Sequence, residues 1–528
     1  MIEKKQKVFV LCVILAMASI IAACSSDSKQ GTSPQKEAVE KSEGKYDKVL
    51  SLKWLGFNVQ GFLPKNGSVL QKKLESTYNV KIDNVQVDWY NKEQINVFLA
   101  SGDSADYMEL GIEPSKALNS GIIRPISMEM LQQYAPNILK SLDDIAGRDV
   151  WSEHLTFDGK LYGIPTVSKT YLAPNTLALR KDWLDAIGVT KMPDTLKELE
   201  ELLLKFRNDD PDKNGKKDTY ALSKFAVTAS LHTNKILPYI FGAYGIAQNK
   251  WMEKEGKLTY SSISPAYKDA LKTFQDWYKK EIFDPEVLLD DRAKFNSKFE
   301  SNRLAGIVEV DAWLDPANAS SPVGKLKMNK GIDMVYIPPV KGPSGFSGTD
   351  NSSAVNKGSS LFFGHKTTDE QVIRILQIQN DIFSDSKMYA QYYYGNEGEH
   401  WTLDDSGAYV PKPEATSTER RTEIGAQRFM MSNMINETAY PVRVNPNRRS
   451  IIEKVKEFPI TKIASYQPDL PADKVTAMAK VESEFFWKAF SGQVDIDKEW
   501  DTYVENWMAA GGKQATDQTN LQYQAKKK

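Results

Sequence analysis

The sequence predicts an α/β protein with more than one domain, on three observations. From Val49 onward, short apolar runs alternate with stretches of helical periodicity, the pattern of a mainly parallel sheet with right-handed crossovers. Residues 177–220 place two helices and an acidic loop in one continuous run. After a short apolar leader about 500 residues remain, more than a single hydrophobic core usually supports.

The leader is a targeting segment. Lys4, Lys5 and Lys7 precede small and apolar residues from Val8 to Ala23. That run is shorter than the about 20 residues a membrane span needs and suits a signal-peptide core. It ends Ile21-Ala22-Ala23-Cys24, which resembles the lipobox of bacterial lipoproteins. Residues 1–23 are therefore expected to be a lipoprotein signal peptide, with Cys24 the acylated (palmitate-bearing) N-terminus. Residues 24–48 are Ser-, Lys-, Gln- and Glu-rich and are expected to be a disordered tether. The chain has only two cysteines, Cys12 and Cys24, so the mature body holds neither a disulfide nor a thiolate metal site. Lys plus Arg is 68 against 69 for Asp plus Glu, with no basic cluster, which argues against a nucleic-acid partner.

The body opens with a strand at Val49–Phe57. A helix at Val69–Tyr78, a strand at Val80–Trp89, a helix at Asn91–Ala100 and a strand at Asp106–Leu110 follow. In sheets of this kind ligands bind outside the carboxyl ends of the strands. That rule selects Phe57, Asn58 and Gln60 after the first strand, Trp89 and Tyr90 after the second, and Glu109–Glu113 around the third. Aromatic residues make up 10% of the chain, including 11 Trp and 23 Tyr. Most belong to cores, but rings in strand-end loops suit the C–H faces of sugars.

Residues 177–220 are the most decodable stretch. A short helix at Arg180–Ile187 stops at Gly188. Thr195 and Glu198 form a capping box. Leu196, Leu199, Leu202, Leu203 and Phe206 then recur at helical spacing. The loop that follows sets Asp210, Asp212, Asn214, the Lys216 carbonyl and Asp218 at positions one, three, five, seven and nine of an EF-hand-type calcium loop, with Gly215 at the turn. Ala221 stands at position twelve, where a bidentate Glu is usual. These residues predict a structural Ca2+ site.

The phrase LALRKDWLDAIGV, then P-x-T-L-x-E-L, then D-x-D-x-N-G-K-K-D, resembles extracellular solute-binding lipoproteins (family 1) of bacterial ABC importers. The resemblance is to the oligosaccharide-binding LplA/LipO-like group, and to the alginate-binding proteins, in which an acidic residue often stands where Thr219 is here. Two further phrases carry it: Asp158-Gly-Lys-Leu-Tyr162-Gly-Ile-Pro165, and Tyr394-Gly-Asn-Glu-Gly-Glu-His400-Trp401-Thr402. The resemblance implies a two-lobed, periplasmic-binding-protein-like fold with several interlobe crossings and a ligand cleft. Lobe 1 is expected at 49–168 with 355–385, and lobe 2 at 169–354 with 386–528. It places Tyr171 on the first crossing, makes Asp311 and Trp313 a ligand pair after a lobe-2 strand, and offers Trp401 as a cleft wall.

The expectation is a monomeric receptor held on the outer face of the cell membrane by lipid on Cys24. It captures an oligosaccharide and passes it to ABC permease subunits. The alternatives are a receptor for a peptide or other polar solute, an exported glycoside hydrolase, and a calcium-dependent adhesion protein. No G-x-S-x-G elbow or H-E-x-x-H helix supports a hydrolase, the four histidines are scattered, and no repeats support an adhesin.

Overall fold

A computed structural model of the chain describes residues 46–59, 62–153, 155–224, 236–318, 321–350, 354–405, 407–463 and 472–527. The expected signal peptide, Cys24 and most of the expected tether lie outside the described residues, as does Gln60. Two sheets organise the rest. The strands in chain order are β1 (Leu50–Leu55), β2 (Val80–Asn84), β3 (Tyr107–Leu110), the hairpin β4 (Thr156–Phe157) and β5 (Lys160–Leu161), β6 (Ile164–Val167), β7 (Thr176–Arg180), the hairpin β8 (Trp251–Lys254) and β9 (Lys257–Tyr260), β10 (Gly306–Glu309), β11 (Met334–Ile337) and β12 (Val355–Phe362).

The first sheet has the order β2-β1-β3-β12-β6. β1 pairs parallel with β2 and β3, whereas β12 runs antiparallel to both β3 and β6. Strands β1, β2, β3 and β6 therefore end on one edge, and β12 starts there, with Val355 paired to Val167. The second sheet, β10-β7-β11, is wholly antiparallel. The expectation of a mainly parallel architecture thus holds only for β2-β1-β3. The physical reason is the crossing geometry: β12 brings the chain back into the first sheet from its hinge edge and must run against the strands that leave there.

Local sequence explains the helices. Val69–Tyr78 starts at Ser68, whose hydroxyl accepts from the Gln71 N–H, and buries Leu70, Leu74 and Tyr78. Lys92–Ala100 is capped by Asn91. Leu196–Asn208 carries the full capping box and buries the five apolar residues of its stripe. Asp369–Ile382 carries a second box, Thr368 with Gln371.

Each sheet has its own core. Around the first pack Trp54, Tyr107, Ile164, Leu361 and Ile375, with Tyr389, Trp401, Phe429, Met434 and Val442. Around the second pack Leu203, Phe206, Phe274, Trp277, Phe486 and Tyr503 on one side, and Phe295, Ile307, Leu326, Ile451 and Val455 on the other. The expected lobe boundary at residue 385 is corrected here: residues 386–442 pack with the first sheet. After β12 the chain keeps wrapping that core and leaves only at Val444–Asn445, ahead of the helix Pro446–Val455.

Three passages join the lobes. In the first, Ser168 N–H donates to the Ala354 carbonyl at 3.0 Å and Lys169 N–H to Ile435 at 3.1 Å. In the second, the Thr349 hydroxyl donates to the Asn175 carbonyl at 2.8 Å, and Asn175 N–H donates to Asp350 at 2.9 Å. The third is Val444–Asn445. Among the described residues no helix is long and apolar enough to cross a membrane.

The Thr195 hydroxyl accepts from Glu198 N–H at 3.2 Å, and the Glu198 carboxylate accepts from Thr195 N–H at 3.0 Å. Thr195→Ala is expected to lower stability by about 1 kcal/mol, the usual value of a lost helix cap. Equilibrium urea unfolding measures it, and an unchanged midpoint would contradict this assignment.

Candidate functional site

The edge where β1, β2, β3 and β6 end is also the edge from which the first crossing departs. On it, the residues after β1 and β2 bring three rings together. Phe57 meets Trp89 edge-on at 5.4 Å and Tyr90 at 5.8 Å, and Trp89 meets Tyr90 at 5.3 Å. Tyr90 is 45% exposed. Asn58 is buried and holds the cluster: its Oδ1 accepts from Trp89 N–H at 2.7 Å and its Nδ2 donates to Asp88 at 3.0 Å. Asp88 in turn accepts from Tyr90 N–H at 3.0 Å. The residue after β3 is Gly111; a Cβ there would stand 2.7 Å from the Trp89 indole, so only glycine admits the ring. The buried indole N–H of Trp89 has no hydrogen-bond partner in the structure. Such a donor is costly to leave unpaired and is ready for an acceptor.

Behind the rings lies a buried polar layer. Glu109 Oε1 accepts from the Ser432 N–H at 2.9 Å and hydroxyl at 2.7 Å. Its Oε2 and the Tyr107 hydroxyl make no well-aligned hydrogen bond, although the two groups lie close enough for each to act on the other. Burial lifts the Glu109 carboxyl to about 7, with the Ser432 hydrogen bonds and the Arg428 charge offsetting only part of the cost. Arg428 donates to the Trp54 and Val85 carbonyls at 3.3 and 2.8 Å, to the Gly56 carbonyl, and to Asn84 Oδ1 at 3.1 Å. Burial lowers its pKa to about 10.

On the second lobe, Asp311 follows β10, whose end lies beside the start of β7 and hence beside the first crossing. Asp311 is 2% exposed and paired with Arg448, at 2.8 Å from Nε and 2.6 Å from the terminal nitrogen. Arg448 also donates to the Arg443 carbonyl at 2.9 Å. Asp311 is therefore held by an ion pair within the second lobe, just beyond the third crossing, with its Oδ2 taken by Arg448 and almost no exposure, contrary to the sequence expectation of an open sugar-binding carboxylate. Burial raises its pKa. Trp313 is half-buried, with the Arg292 guanidinium 4.4 Å above its ring.

Trp401 is corrected more fully. It is 1% exposed in the first core, donates from Nε1 to the Gly395 carbonyl at 2.8 Å and packs on Tyr409. The Y-G-x-E-G-x-H-W-T phrase builds a structural corner, and its tryptophan cannot face a cleft. Tyr171 falls in the short 3-10 helix Lys169–Leu172 on the first crossing, and its side chain lies outside the description. Arg428, Arg443, Arg448 and Ser432 escape sequence reading because no motif marks residues 428–448. Arg428, standing directly before the apolar phrase Phe429-Met-Met-Ser-Asn-Met-Ile435, is the only available signal.

In the acidic loop, Asp210 accepts from Asn214 N–H at 3.1 Å and Gly215 N–H at 2.9 Å, which lowers its pKa. The Asn214 amide nitrogen lies 2.9 Å from Asp212 and 3.2 Å from Asp218. Asp212 Oδ1 is buried and unpartnered, and burial, followed by the neighbouring Asp210, raises the Asp212 pKa. Among the described residues no group of three or more His, Cys, Asp or Glu converges on one metal position. The orphaned oxygen, and an amide whose rotation would turn its own oxygen inward, nevertheless fit a hard cation.

No protein-family model matches the chain. It is 24% identical over 532 residues, 97% of each chain, to the polygalacturonan/rhamnogalacturonan-binding protein YtcQ of Bacillus subtilis (strain 168). Its fold resembles an HMO-binding, ABC-transporter-associated solute-binding protein of Bifidobacterium longum infantis, with TM-score 0.70 and 18% identity, covering 90% of this chain and 97% of that one. It also resembles the EF-hand mutant of the Streptococcus pneumoniae ABC-transporter substrate-binding protein FusA in complex with fructo-nystose, with TM-score 0.68 and 19% identity, covering 90% and 99%. The architecture is that of the two-domain α/β solute-binding proteins, with interlobe contacts of the hinge-and-cleft type. Within that class the chain is similar in sequence, at 24% and 27% identity, to bacterial proteins named as polygalacturonan/rhamnogalacturonan-binding and as fructooligosaccharide ABC transporter substrate-binding.

Because the Glu109 carboxyl is lifted from 4.5 to about 7, the folded chain binds its proton more tightly than the unfolded chain. This group's contribution is present in full below pH 4.5 and is lost as pH rises through 7. Thermal melts across that window are expected to show Glu109→Gln flattening part of the decline. A parallel curve for the variant would contradict the assignment.

Proposed function

We propose that this protein captures an oligosaccharide outside the cell and delivers it to an ABC permease. The Phe57–Trp89–Tyr90 cluster carries the reading: three rings and an unpaired indole N–H on the first lobe's hinge edge. The rings suit the apolar faces of sugars and the N–H suits a sugar oxygen. The names of the similar proteins, each of which mentions a glycan or carries one, support the same class of ligand. Ligand touching both lobes favours the closed arrangement, and the three crossings let the lobes rotate. Phe57, Asn58, Gln60, Trp89, Tyr90, Tyr171 and Trp313 are the proposed contacts.

The chain is a binding protein rather than a hydrolase. The similar proteins are binding or substrate-binding proteins by name, and the two buried carboxylates here are engaged in holding Ser432 and Arg448. The finer assignment is to the LplA/LipO-like group, as a monomer anchored through lipid on Cys24. Asp210, Asp212, Asn214, the Lys216 carbonyl and Asp218 hold a structural Ca2+. The ion neutralises three carboxylates and ties the end of helix Leu196–Asn208 to the strand-like run at Thr219–Leu222.

Thermal shift against an oligosaccharide panel is expected to raise the melting temperature, and Trp89→Ala to weaken binding about tenfold, the loss of roughly 1.4 kcal/mol. Stabilisation by peptides alone would overturn the reading. Separately, Ca2+ at about 10⁻³ M is expected to raise the melting temperature, a chelator to reverse it, and Asp212→Ala to abolish it. No response of the wild type to Ca2+ would remove the metal from this account.

A further inference from the structure

The third crossing differs from the other two in how little freedom it has. The first lobe ends in the short helix Tyr440–Arg443 and the second resumes in the helix Pro446–Val455, so only Val444 and Asn445 lie between. Val444 is β-branched and buried, so its side chain is locked in place. Asn445 precedes a proline, which confines it to extended backbone, and it stands at φ −67°, ψ 167°. The first crossing, by contrast, runs through Ser168–Asn175 between β6 and β7. We propose that the third crossing is the pivot of lobe movement: Arg448 and Arg449 of the second lobe clasp the carbonyls on which the first lobe ends, so this link turns in place while the other two crossings bend. The proposal uses the two-lobed fold alone and does not depend on the ligand.

The carbonyls carry the argument. The last C=O groups of a helix have no partner within it. After Tyr440–Arg443 the chain cannot supply one to Val442, because the residue four further on is Pro446, which has no N–H. Side chains take every carbonyl from Pro441 to Val444. Arg449 donates from Nε to the Val444 carbonyl at 2.9 Å and from Nη2 to the Pro441 carbonyl at 3.3 Å. Arg448 donates from Nη1 to the Arg443 carbonyl at 2.9 Å. The Tyr394 hydroxyl donates to the Val442 carbonyl at 3.2 Å. All but the last of these bonds come from the second lobe.

The two arginines stand where their own helix does not favour them. They fall at the start of Pro446–Val455, where negative side chains are preferred and the first turn holds none. Their partners across the link account for the placement. The base of the clasp is fixed to the second lobe as well. Arg448 is paired with Asp311, and Asn445 accepts from Arg448 N–H at 3.0 Å and donates from Nδ2 to Asp315 at 2.5 Å.

A movement that drew the two helix ends apart would break several hydrogen bonds from charged donors at once, whereas rotation about the link keeps them. The other two crossings are held to one another, by Ser168 N–H on Ala354 and the Thr349 hydroxyl on Asn175, and can bend as one ribbon.

Hydrogen exchange of the full-length protein, followed by mass spectrometry of its fragments, tests this without any variant. Val444 and Arg449 in one segment, and Ser168, Lys169 and Asn175 in the other, all have hydrogen-bonded amides, so a difference in rate reports opening. Residues 440–449 are expected to exchange about tenfold more slowly than residues 168–175. Equal exchange, or slower exchange at 168–175, would overturn the pivot. A second measurement reads the clasp itself. In the full chain carrying Cys12→Ser and Cys24→Ser, nitroxides are attached at Lys73→Cys on the first lobe and Lys197→Cys on the second, both exposed positions. Pulsed electron paramagnetic resonance then gives the distribution of interlobe distances. Arg449→Gln, which leaves the Asp311–Arg448 pair intact, is expected to widen that distribution about twofold. An unchanged width would show that the clasp does not hold the lobes. Neither readout needs a glycan, so failure here leaves the carbohydrate reading standing.

Discussion

The buried guanidinium of Arg428 is the constraint on which the ring-bearing edge depends. Its donors go to the carbonyls of Trp54, Gly56 and Val85 and to Asn84, which closes the ends of β1 and β2. Its own carbonyl accepts from the Trp54 indole at 2.8 Å. Of the carbonyls it reaches, that of Trp54 also accepts from the Val85 N–H at 2.9 Å. Burying a cation is costly, and here several backbone acceptors offset the cost. Phe57 directly follows Gly56, and Trp89 lies four residues beyond Val85. The position of the rings is thus set from behind, by a residue more than 300 positions further along the chain.

The same segment connects the ring edge to the hinge. Ser432 hangs from Glu109, Ile435 pairs with Val167 and Ser168, and Arg443 donates to the Ser432 carbonyl at 2.8 Å. Arg448, just beyond the third crossing, then reaches Asp311 in the second lobe. A continuous series of hydrogen bonds and one buried ion pair therefore runs from beneath the rings to the second lobe. The rings and the crossings are thus joined by one chain of packed contacts.

Where local physical chemistry decides the structure, the sequence was legible. The capping box at Thr195, the apolar stripe after it and the alternation of β1 need only neighbours a few residues away. The strand-end rule also located Phe57, Asn58, Trp89 and Tyr90, because a βαβ unit puts successive loops on one edge. The failures are all non-local. Asp311 and Trp313 read as a ligand pair because nothing nearby shows that Arg448, 137 residues away, takes the carboxylate. Trp401 reads as a cleft ring because aromatic density does not distinguish a corner from a wall. The boundary at 385 missed because the wrapping of residues 386–442 around the first core has no periodicity of its own.

β12 occupies the place between β3 and β6, and it is made from residues 355–362. Without it the first sheet is two unconnected pieces, however much of the N-terminal half exists. The whole second sheet is inserted before that bridging piece arrives. The leading half of the chain therefore cannot complete its own sheet until residues 355–362 are present.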